Sequence, residues 1–409
     1  MTMRTVPDAA RPRPPQYYEP GAPVDLGGGA VALRSHRDIM AALAAERRGD
    51  LTASYLLLAE AAGIPAGDLP VLFQFPWSQP EPRHRELVAL IAPALSARRV
   101  RRLAGGLGEH AAALAIAVLR EHTGPAGGPA QVDVAAYARE LATALVGQAT
   151  GLSGSALAAS FLLSYAEKFA RRDPAHLLDP DPPQVAACLQ ELVGARRRDP
   201  GGELIDAVIA GFDGGLLTVR ERDALIFGCV AAGRETTAAA VTAVFVTGWQ
   251  HGLLGEAWRA DPAWRAGFCC EVLRLSTPWP VTTLAAAAPA RFGNVTVPAG
   301  GQVQLWWPAA NLDPEQFPDP HRLDPARRGA AGHLAFGGAG VHACTGRHLA
   351  LAAMDAAMGG LLPVLHSGAR LSTAEMSSGL VDGWTRAVFT CDPALAAPFL
   401  KGHAVTAPR

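Results

Sequence analysis

The sequence predicts a mainly α protein, built as a single large helical domain with a smaller β-rich region. Hydrophobic residues make up 49% of the 409 residues and charged residues only 18%, against roughly a quarter in an average globular chain. This composition favours one large globule with much of its chain buried. Apolar residues recur at helical spacing through most of the sequence, whereas strand-like alternation is confined to short segments.

The chain begins with a proline-rich segment, residues 1–23, which we expect to form a flexible arm outside the main domain. Its six prolines disfavour a helix and favour an extended chain. From Val24 the pattern GGAVALRSHRDIMAAL predicts a short strand or hairpin, followed by a helix that starts near His36. The main domain is therefore predicted to span residues 24–409.

Helices dominate the part of the chain between residues 83 and 152. Apolar side chains recur there every three or four residues, as at Leu87, Leu90 and Ile91. Two segments rich in turn-forming residues, 174–183 (PAHLLDPDPP) and 196–203 (RRRDPGGE), interrupt the helical pattern further along. We expect both segments to be surface loops between helices.

The longest predicted helix covers about residues 223–249, which corresponds to roughly 40 Å. It is apolar on nearly every face, so we expect it to cross the interior. Strand-like alternation returns at residues 291–305 (RFGNVTVPAGGQVQL), where a turn at residues 298–301 separates two alternating runs. That pattern predicts a hairpin beside the last helices.

Charge and cysteine usage exclude some classes of protein. The chain holds 36 basic and 37 acidic residues, so no overall field attracts nucleic acid or an anionic membrane. Residues 96–103 (SARRVRRL) form either a solvated helix face or a docking site for an acidic protein. Six cysteines without CxxC spacing and an N-terminus without an apolar signal core predict a cytoplasmic protein. Arg234 and Glu235 interrupt the most apolar stretch, so no membrane span is predicted.

Residues 335–350 (AFGGAGVHACTGRHLA) carry the clearest chemical signal. Four glycines surround Cys344, and a helical pattern begins directly after it. Glycines let the backbone lie close against a flat group, and the N-terminus of the following helix would lower the pKa of the thiol. Such a thiolate is a metal ligand or a nucleophile. The alternative is a buried structural cysteine in a glycine-rich turn.

Two further motifs lie on predicted helices. The text AGRETT, residues 232–237, places a glycine and threonines in the middle of the longest helix, where both weaken the hydrogen-bond ladder. This site is either a kink or a functional position. Glu271 and Arg274 are one helical turn apart, so their side chains can pair; exposed pairs of this kind are common and carry little weight alone.

The motifs and their order resemble the cytochromes P450 from about residue 24 to about residue 395. Residues 338–346 fill the GxGxHxCxG pattern of that family's haem-binding loop, and AGRETT resembles its acid and alcohol pair. Residues 311–328 (NLDPEQFPDPHRLDPARR) resemble its meander, and residues 83–100 (RHRELVALIAPALSARRV) resemble the helix before its haem pocket. The resemblance implies the cytochrome P450 fold, in which the long central helix crosses over the haem.

The resemblance also implies roles for individual residues. Cys344 would be the axial ligand of the iron of haem b. Glu235 and Thr236 would be catalytic, delivering protons to dioxygen. The other haem contacts would be His84, Arg85, Ala232, Phe336, Gly338, Gly340, His342, Gly346 and Ala350. The structural ion-pair triad would be Glu271, Arg274 and Arg322. Substrate would meet Gly228, Ala232, Val281, Thr282 and Thr283, together with segments 51–75 and 161–175.

The sequence departs from the family pattern at three places. Phe336 lies eight residues before the cysteine rather than seven, and Gly337 occupies the usual position. Position 88 is valine where a second propionate-binding arginine is usual, and Arg85 is the candidate replacement. No arginine follows Pro278 in WPVTTLAAAA. Two propionate charges therefore have fewer predicted partners than usual, which costs several kcal/mol unless other donors compensate.

The resemblance implies an oxidoreductase of the monooxygenase type that activates O2. It would hydroxylate, epoxidise, or oxidatively couple or cyclise a small-molecule intermediate of secondary metabolism. Electrons would come from a separate ferredoxin and ferredoxin reductase. The alternative is a degenerate relative that acts as an activator or scaffold for another biosynthetic enzyme, a class that commonly lacks the ligand cysteine.

Overall fold

The structure is a computed structural model, and it describes residues 15–53, 63–65, 68–122, 130–152, 156–172, 176 and 178–400. Its helices, in chain order, are α1 (His36–Arg48), α2 (Arg83–Ile91), α3 (Ala97–His122), α4 (Val134–Thr150), α5 (Ala156–Ala170), α6 (Pro183–Arg198), α7 (Leu204–Asp213), α8 (Val219–Gln250), α9 (Leu254–Arg259), α10 (Pro262–Leu275), α11 (Trp307–Asn311), α12 (Arg347–Leu365) and α13 (Pro393–Leu400). The predicted mainly α fold with a small β-rich region is confirmed.

Within the described part of the chain, the strands form three small sheets. They are β1 (Val24–Gly27), β2 (Ala30–Leu33), β3 (Leu51–Ala53), β4 (Ala130–Asp133), β5 (Val281–Ala286), β6 (Ala290–Phe292), β7 (Val295–Val297), β8 (Gln302–Trp306), β9 (Arg370–Ser377) and β10 (Gly383–Cys391). The largest sheet has the order β1-β2-β8-β5-β3, a second has the order β4-β10-β9, and β6 pairs with β7 alone. The N-terminal strands and those before the meander therefore share one sheet.

The predicted hairpin within residues 291–305 is wrong in its pairing. Strand β7 pairs with β6, with Ala290 opposite Val297, and the tight turn lies at Gly293, whose φ is 55°. The turn at residues 298–301 instead leads from β7 to β8, which pairs with β2 and β5. The glycine that permits the left-handed backbone, rather than the proline, fixes the position of the hairpin.

Part of the predicted N-terminal arm packs against the largest sheet. Residues 1–14 lie outside the described residues, whereas Tyr17 stacks on Trp306 with ring centroids 4.0 Å apart. The Arg34 side chain also donates to the carbonyl oxygens of Glu19 and Ala22. Residues 17–23 are thus held to the domain by ring stacking and hydrogen bonds.

Helix α8 crosses the core, as the sequence predicts, but it begins four residues earlier. Thr218 caps it, because its hydroxyl accepts from the Glu221 N–H at 3.2 Å while the Glu221 carboxylate accepts from the Thr218 N–H at 2.8 Å. Three described helices, α3, α8 and α12, are long and apolar enough to cross a membrane by length and composition alone. In α8 the most apolar window is 78% buried within the protein, so packing in the core accounts for its composition.

Helix α1 is closed at both ends by its own sequence. The Ser35 hydroxyl accepts from the Asp38 N–H at 3.1 Å, and Gly49 ends the helix in the left-handed conformation with φ 83°. One face packs Ile39 and Leu43 against the β-rich region. The last turn therefore points Glu46, which is 7% exposed, into the protein.

A buried ion-pair cluster joins α10 to the meander, and one of its predicted members is wrong. Glu271 and Arg274 form a double pair with Nε–Oε1 at 2.6 Å and Nη2–Oε2 at 2.9 Å. The third partner is Arg327, whose Nε donates to Glu271 Oε2 at 3.0 Å. Arg322 is exposed, and its backbone carbonyl accepts from Arg274 at 3.1 Å and from Arg327 at 3.0 Å.

The turn after Asp324 explains this correction. Its backbone N–H donates to Glu271 at 3.0 Å, and the Arg327 N–H closes a turn on the Asp324 carbonyl at 2.9 Å. That turn brings Arg327 over the carboxylate. Burial alone would raise the pKa of Glu271, but the hydrogen bonds from Arg274, Asp324 and Arg327 hold it below its usual value.

Candidate active site

A cavity of about 250 Å³ lies between α8, the start of α12 and the segment from residue 75 to α2. Its walls are mostly apolar, with Ile91, Leu95, Leu273 and Leu349 among the lining residues. Cys344 faces into it and is exposed there. The cavity thus combines a thiol with an apolar interior, as ligand pockets with a few placed polar groups do.

The loop before α12 aims the Cys344 sulfur at the cavity. The Cys344 N–H donates to the Phe336 carbonyl at 2.9 Å, which closes the loop, and Gly337 has φ 80°. The pKa of the Cys344 thiol is raised rather than lowered as predicted, because burial of the sulfur outweighs the N–H groups of Gly346 and Arg347 and the Arg347 charge. Backbone donors at the start of a helix favour a thiolate, so the geometry suits a metal ligand.

The structure places ten of the predicted site residues on the cavity wall. They are His84, Ala232, Thr236, Thr282, Phe336, Gly340, His342, Cys344, Gly346 and Ala350. Gly338 packs behind the loop, because a Cβ there would meet Leu334 and Leu43 at 3.0 and 3.1 Å. The individual roles assigned to these residues stay predictions.

Arg85 does not replace the expected propionate arginine. Its side chain is 81% exposed and pairs with Glu81 at 3.1 Å. It lies one position after His84 on α2, so its side chain points about 100° away from the cavity. Val88 lines the cavity instead. Among the residues that the structure describes, no lysine or arginine lines this cavity.

Two histidines and one carboxylate form the polar end of the cavity. The His84 and His342 rings lie 4.1 Å apart. His84 Nε2 is 3.2 Å from the Val341 carbonyl, and His342 Nδ1 is 2.7 Å from Glu46 Oε1. Burial and the neighbouring His342 lower the pKa of His84. Sequence reasoning missed Glu46, because nothing in the text of α1 indicates a contact with the cysteine loop.

The two residues of the predicted acid and alcohol pair face different sides of α8. Thr236 lines the cavity, and its hydroxyl donates to the Ala232 carbonyl at 2.6 Å. Glu235 points to the other side, where it pairs with Arg234. Burial raises the pKa of Glu235, and the Arg234 charge opposes that shift. A second cavity of about 30 Å³ lies beside Glu235, which is room for one water molecule.

The predicted substrate residues divide between the cavity and its surroundings. On β5, Thr282 and Leu284 line the cavity, whereas Val281 and Thr283 do not, as the two-residue period of a strand requires. On α8, Gly228 is covered: a Cβ there would lie 2.1 Å from the Phe75 ring. Phe75 thus occupies the place predicted for substrate.

A group of tryptophans, which sequence reasoning missed, forms the wall next to Phe75. Trp77 and Trp279 lie with ring centroids 5.3 Å apart. The Thr282 hydroxyl accepts from the indole N–H of Trp279 at 3.2 Å and of Trp307 at 3.0 Å. The only signal in the sequence is the concentration of tryptophan near these positions.

Comparison with known proteins gives one family and many relatives. The family model described as Cytochrome P450 matches residues 267–364. Cytochrome P450 107B1 of Saccharopolyspora erythraea is 37% identical over 181 residues, which cover 42% of this chain and 43% of that protein. The 6-deoxyerythronolide B hydroxylase of the same organism is 36% identical over 172 residues, or 41% of each chain. The matches therefore span about two fifths of the length of these relatives.

Solved structures extend the likeness to nearly the whole chain. The crystal structure of CYP105D6 superposes with a TM-score of 0.74 at 24% identity and covers 96% of this chain and 98% of that one. At this identity the likeness shows a common fold. The cysteine loop and the buried Glu271 cluster lie within the residues matched by the family model.

Proposed function

We propose that this chain is a haem-thiolate oxidoreductase of the cytochrome P450 family, which activates dioxygen and oxidises a small apolar molecule. The observation that carries the proposal is the Cys344 sulfur, which faces an apolar cavity and has backbone N–H groups of the α12 N-terminus directed at it. A sulfur placed in this way would hold a haem iron as its thiolate ligand.

The residues around the cavity fit haem b at the sulfur end. Cys344 would be the iron ligand, and Gly346 on the same wall leaves room beside the sulfur for a flat group. His84 and His342 are the two imidazole side chains of the described lining, and they would stand in for the missing propionate arginines. When bound, haem would supply the reductive activation of dioxygen.

Thr236 and Glu235 would handle protons. The Thr236 hydroxyl lies in the cavity, and its donor is engaged with the Ala232 carbonyl at 2.6 Å, so it can accept from a water molecule there. Glu235 lies on the far side of α8 beside the second cavity. A proton would pass from that side to Thr236 only by rotation of Glu235 or through water.

The substrate would be a moderately hydrophobic intermediate of secondary metabolism. Phe75, Trp77 and Trp279 offer flat apolar surfaces, and the Thr282 hydroxyl is already engaged by two indoles. The relative named 6-deoxyerythronolide B hydroxylase supports a role in tailoring such molecules. Hydroxylation, epoxidation, and oxidative coupling or cyclisation are all open to this site.

Electrons would come from a ferredoxin and its reductase in the cytoplasm. Arg98, Arg101 and Arg347 are exposed. Burial lowers the pKa of His348 at the start of α12, and the Arg347 and Arg101 charges lower it further. Arg101 thus lies close enough to the start of α12, just after Cys344, to act on His348. An acidic partner docked there would approach the sulfur end of the cavity.

A second candidate function is that of a haem-free auxiliary protein for another biosynthetic enzyme. The observation that favours it is the lack of lysine and arginine in the described lining of the cavity. Two propionates buried against Glu46 without a permanent cation would be costly.

Haem binding decides between the two candidates. We would purify the full chain after expression with a haem precursor, reduce it and record the carbon monoxide difference spectrum. The enzyme proposal expects a Soret band at the thiolate position, which is lost in Cys344→Ala and kept in Cys188→Ser. A colourless wild type that also fails to take up added haem would overturn the enzyme proposal and leave the auxiliary function.

A further inference from the structure

The last turn of α1 grips the loop that carries Cys344. Glu46 Oε1 accepts from His342 Nδ1 at 2.7 Å, and Glu46 Oε2 accepts from the Val341 N–H at 3.0 Å. The next residue, Arg47, donates to the Ala339 carbonyl at 2.5 Å. Two successive residues of one helix therefore hold three of the five residues before the cysteine.

The approach of the helix to the loop depends on a glycine. A Cβ on Gly340 would lie 2.9 Å from Glu46 Oε2 and 2.8 Å from Leu43 Cδ2. Contacts this short are not made by side-chain carbons, so a larger residue at position 340 would displace the ends of the Leu43 and Glu46 side chains. Gly340 and the Glu46 carboxylate therefore both contribute to the contact between the cysteine loop and α1.

Glu46 also belongs to the polar end of the cavity. Its side chain is 4% exposed and lines the cavity together with His342 and His84. The other nitrogen of His342, Nε2, lies 3.1 Å from the Gln79 carbonyl. The imidazole is therefore fixed from both sides, by α1 and by the segment that leads into α2.

We propose that Glu46 is a positioning residue for the haem site. Its carboxylate holds the cysteine loop through the Val341 N–H, and it holds the imidazole of His342 at the polar end of the cavity. This rests on the proposed function, since it assigns Glu46 a part in holding haem. Outer partners that orient ligand-bearing groups contribute about tenfold to a hundredfold to the affinity of a site.

The test compares haem retention in three variants of the full-length holoprotein. Glu46→Ala removes both hydrogen bonds, and Glu46→Gln keeps the shape and one acceptor. Ser35→Ala weakens the same helix at its other end, where Ser35 caps it, and leaves the loop contacts intact. The measurements are the rate of haem transfer to apomyoglobin, the thiolate fraction of the carbon monoxide difference spectrum, and the melting temperature of the apoprotein.

We expect Glu46→Ala to raise the rate of haem loss about tenfold and to lower the thiolate fraction, with Glu46→Gln in between. Ser35→Ala should lower the melting temperature without changing either haem measurement. Haem loss and thiolate fraction equal to wild type in Glu46→Gln would overturn the proposal, as would equal effects of Ser35→Ala and Glu46→Ala. If the wild type binds no haem, the proposed function itself fails and this proposal falls with it.

Discussion

Glu271 and Glu46 are both buried carboxylates, but they meet different partners. Glu271 is 0% exposed and is held by two arginines and a backbone N–H. Glu46 is held by one histidine and one backbone N–H, and it borders a cavity. The Glu271 cluster has charges that are present at every ordinary pH, so it serves to fix the meander. The Glu46 cluster borders the cavity, so a ligand bound there can contact it.

We expect the largest change in the free energy of unfolding from disruption of the Glu271 cluster. Glu271→Gln leaves two arginines facing a neutral amide in the core, which should lower the free energy of unfolding by about 3–5 kcal/mol. Denaturant unfolding of the full chain measures it. Arg322→Ala is the control, since Arg322 is exposed and its loss should change stability by less than about 0.5 kcal/mol. A larger effect of Arg322→Ala than of Arg327→Ala would contradict the assignment of the third partner.

The free energy of unfolding should also depend on pH through His333, a buried histidine that feels the charges of the Glu271 cluster. The pKa of His333 is lowered to about 4, mainly by burial. The Glu271 charge raises this pKa, and the Arg274 charge lowers it. The folded protein thus prefers the neutral ring, and protonation of the unfolded chain below pH about 6.5 favours unfolding.

We therefore expect the free energy of unfolding to fall by about 2 kcal/mol between pH 7 and pH 5 through His333 alone. Denaturation curves at both pH values measure this change. In His333→Asn the loss over that interval should be smaller by about the same amount. An unchanged pH dependence in the variant would show that His333 is not the group responsible.

An arginine added at the polar end of the cavity, near Glu46, would test whether the lack of a permanent cation distinguishes the Glu46 cluster from the Glu271 cluster. Val88 lines the cavity one turn after His84, so Val88→Arg would give this end a permanent cation. We expect haem transfer to apomyoglobin to slow by about tenfold, because a guanidinium pairs with a carboxylate in two hydrogen bonds. Val88→Gln, similar in length but neutral, is the control. Equal rates in both variants would argue against a shortage of positive charge.

Glu235 is a third buried carboxylate, and the smallest effect on stability is expected beside it. Thr236→Ala should leave the unfolding free energy within about 1 kcal/mol of wild type but should uncouple reductant use from product formation, if Thr236 handles protons. The ratio of product to reductant consumed measures the coupling. Thr277→Ala is the control, since its hydroxyl makes the same kind of backbone contact, to the Leu273 carbonyl at 3.0 Å, and lines neither of the two cavities.

The cysteine loop was readable from the sequence because its elements are local. Glycines, histidine and cysteine within nine residues define both the turn and the start of α12. The partner of Glu271 was misplaced, because residues 311–328 offer several arginines and only a turn after Asp324 decides which one reaches the carboxylate.

Glu46 could not be predicted, since its contact with Val341 joins positions 295 residues apart and depends on how α1 packs. The orientation of Glu235 away from the cavity likewise depends on the rotation of α8, which the motif AGRETT does not specify. Long-range packing therefore determines the polar end of the cavity, whereas the local sequence determines the cysteine loop.

The distance in sequence between α1 and the cysteine loop has a consequence for biosynthesis. Contacts between positions so far apart form late in folding, because the loop between them must first close. During synthesis, Glu46 leaves the ribosome 295 residues before Val341, to which it is hydrogen-bonded. Cofactor capture should therefore wait until the cysteine loop has been made, and a variant without α1 should fold around its C-terminal core without retaining pigment.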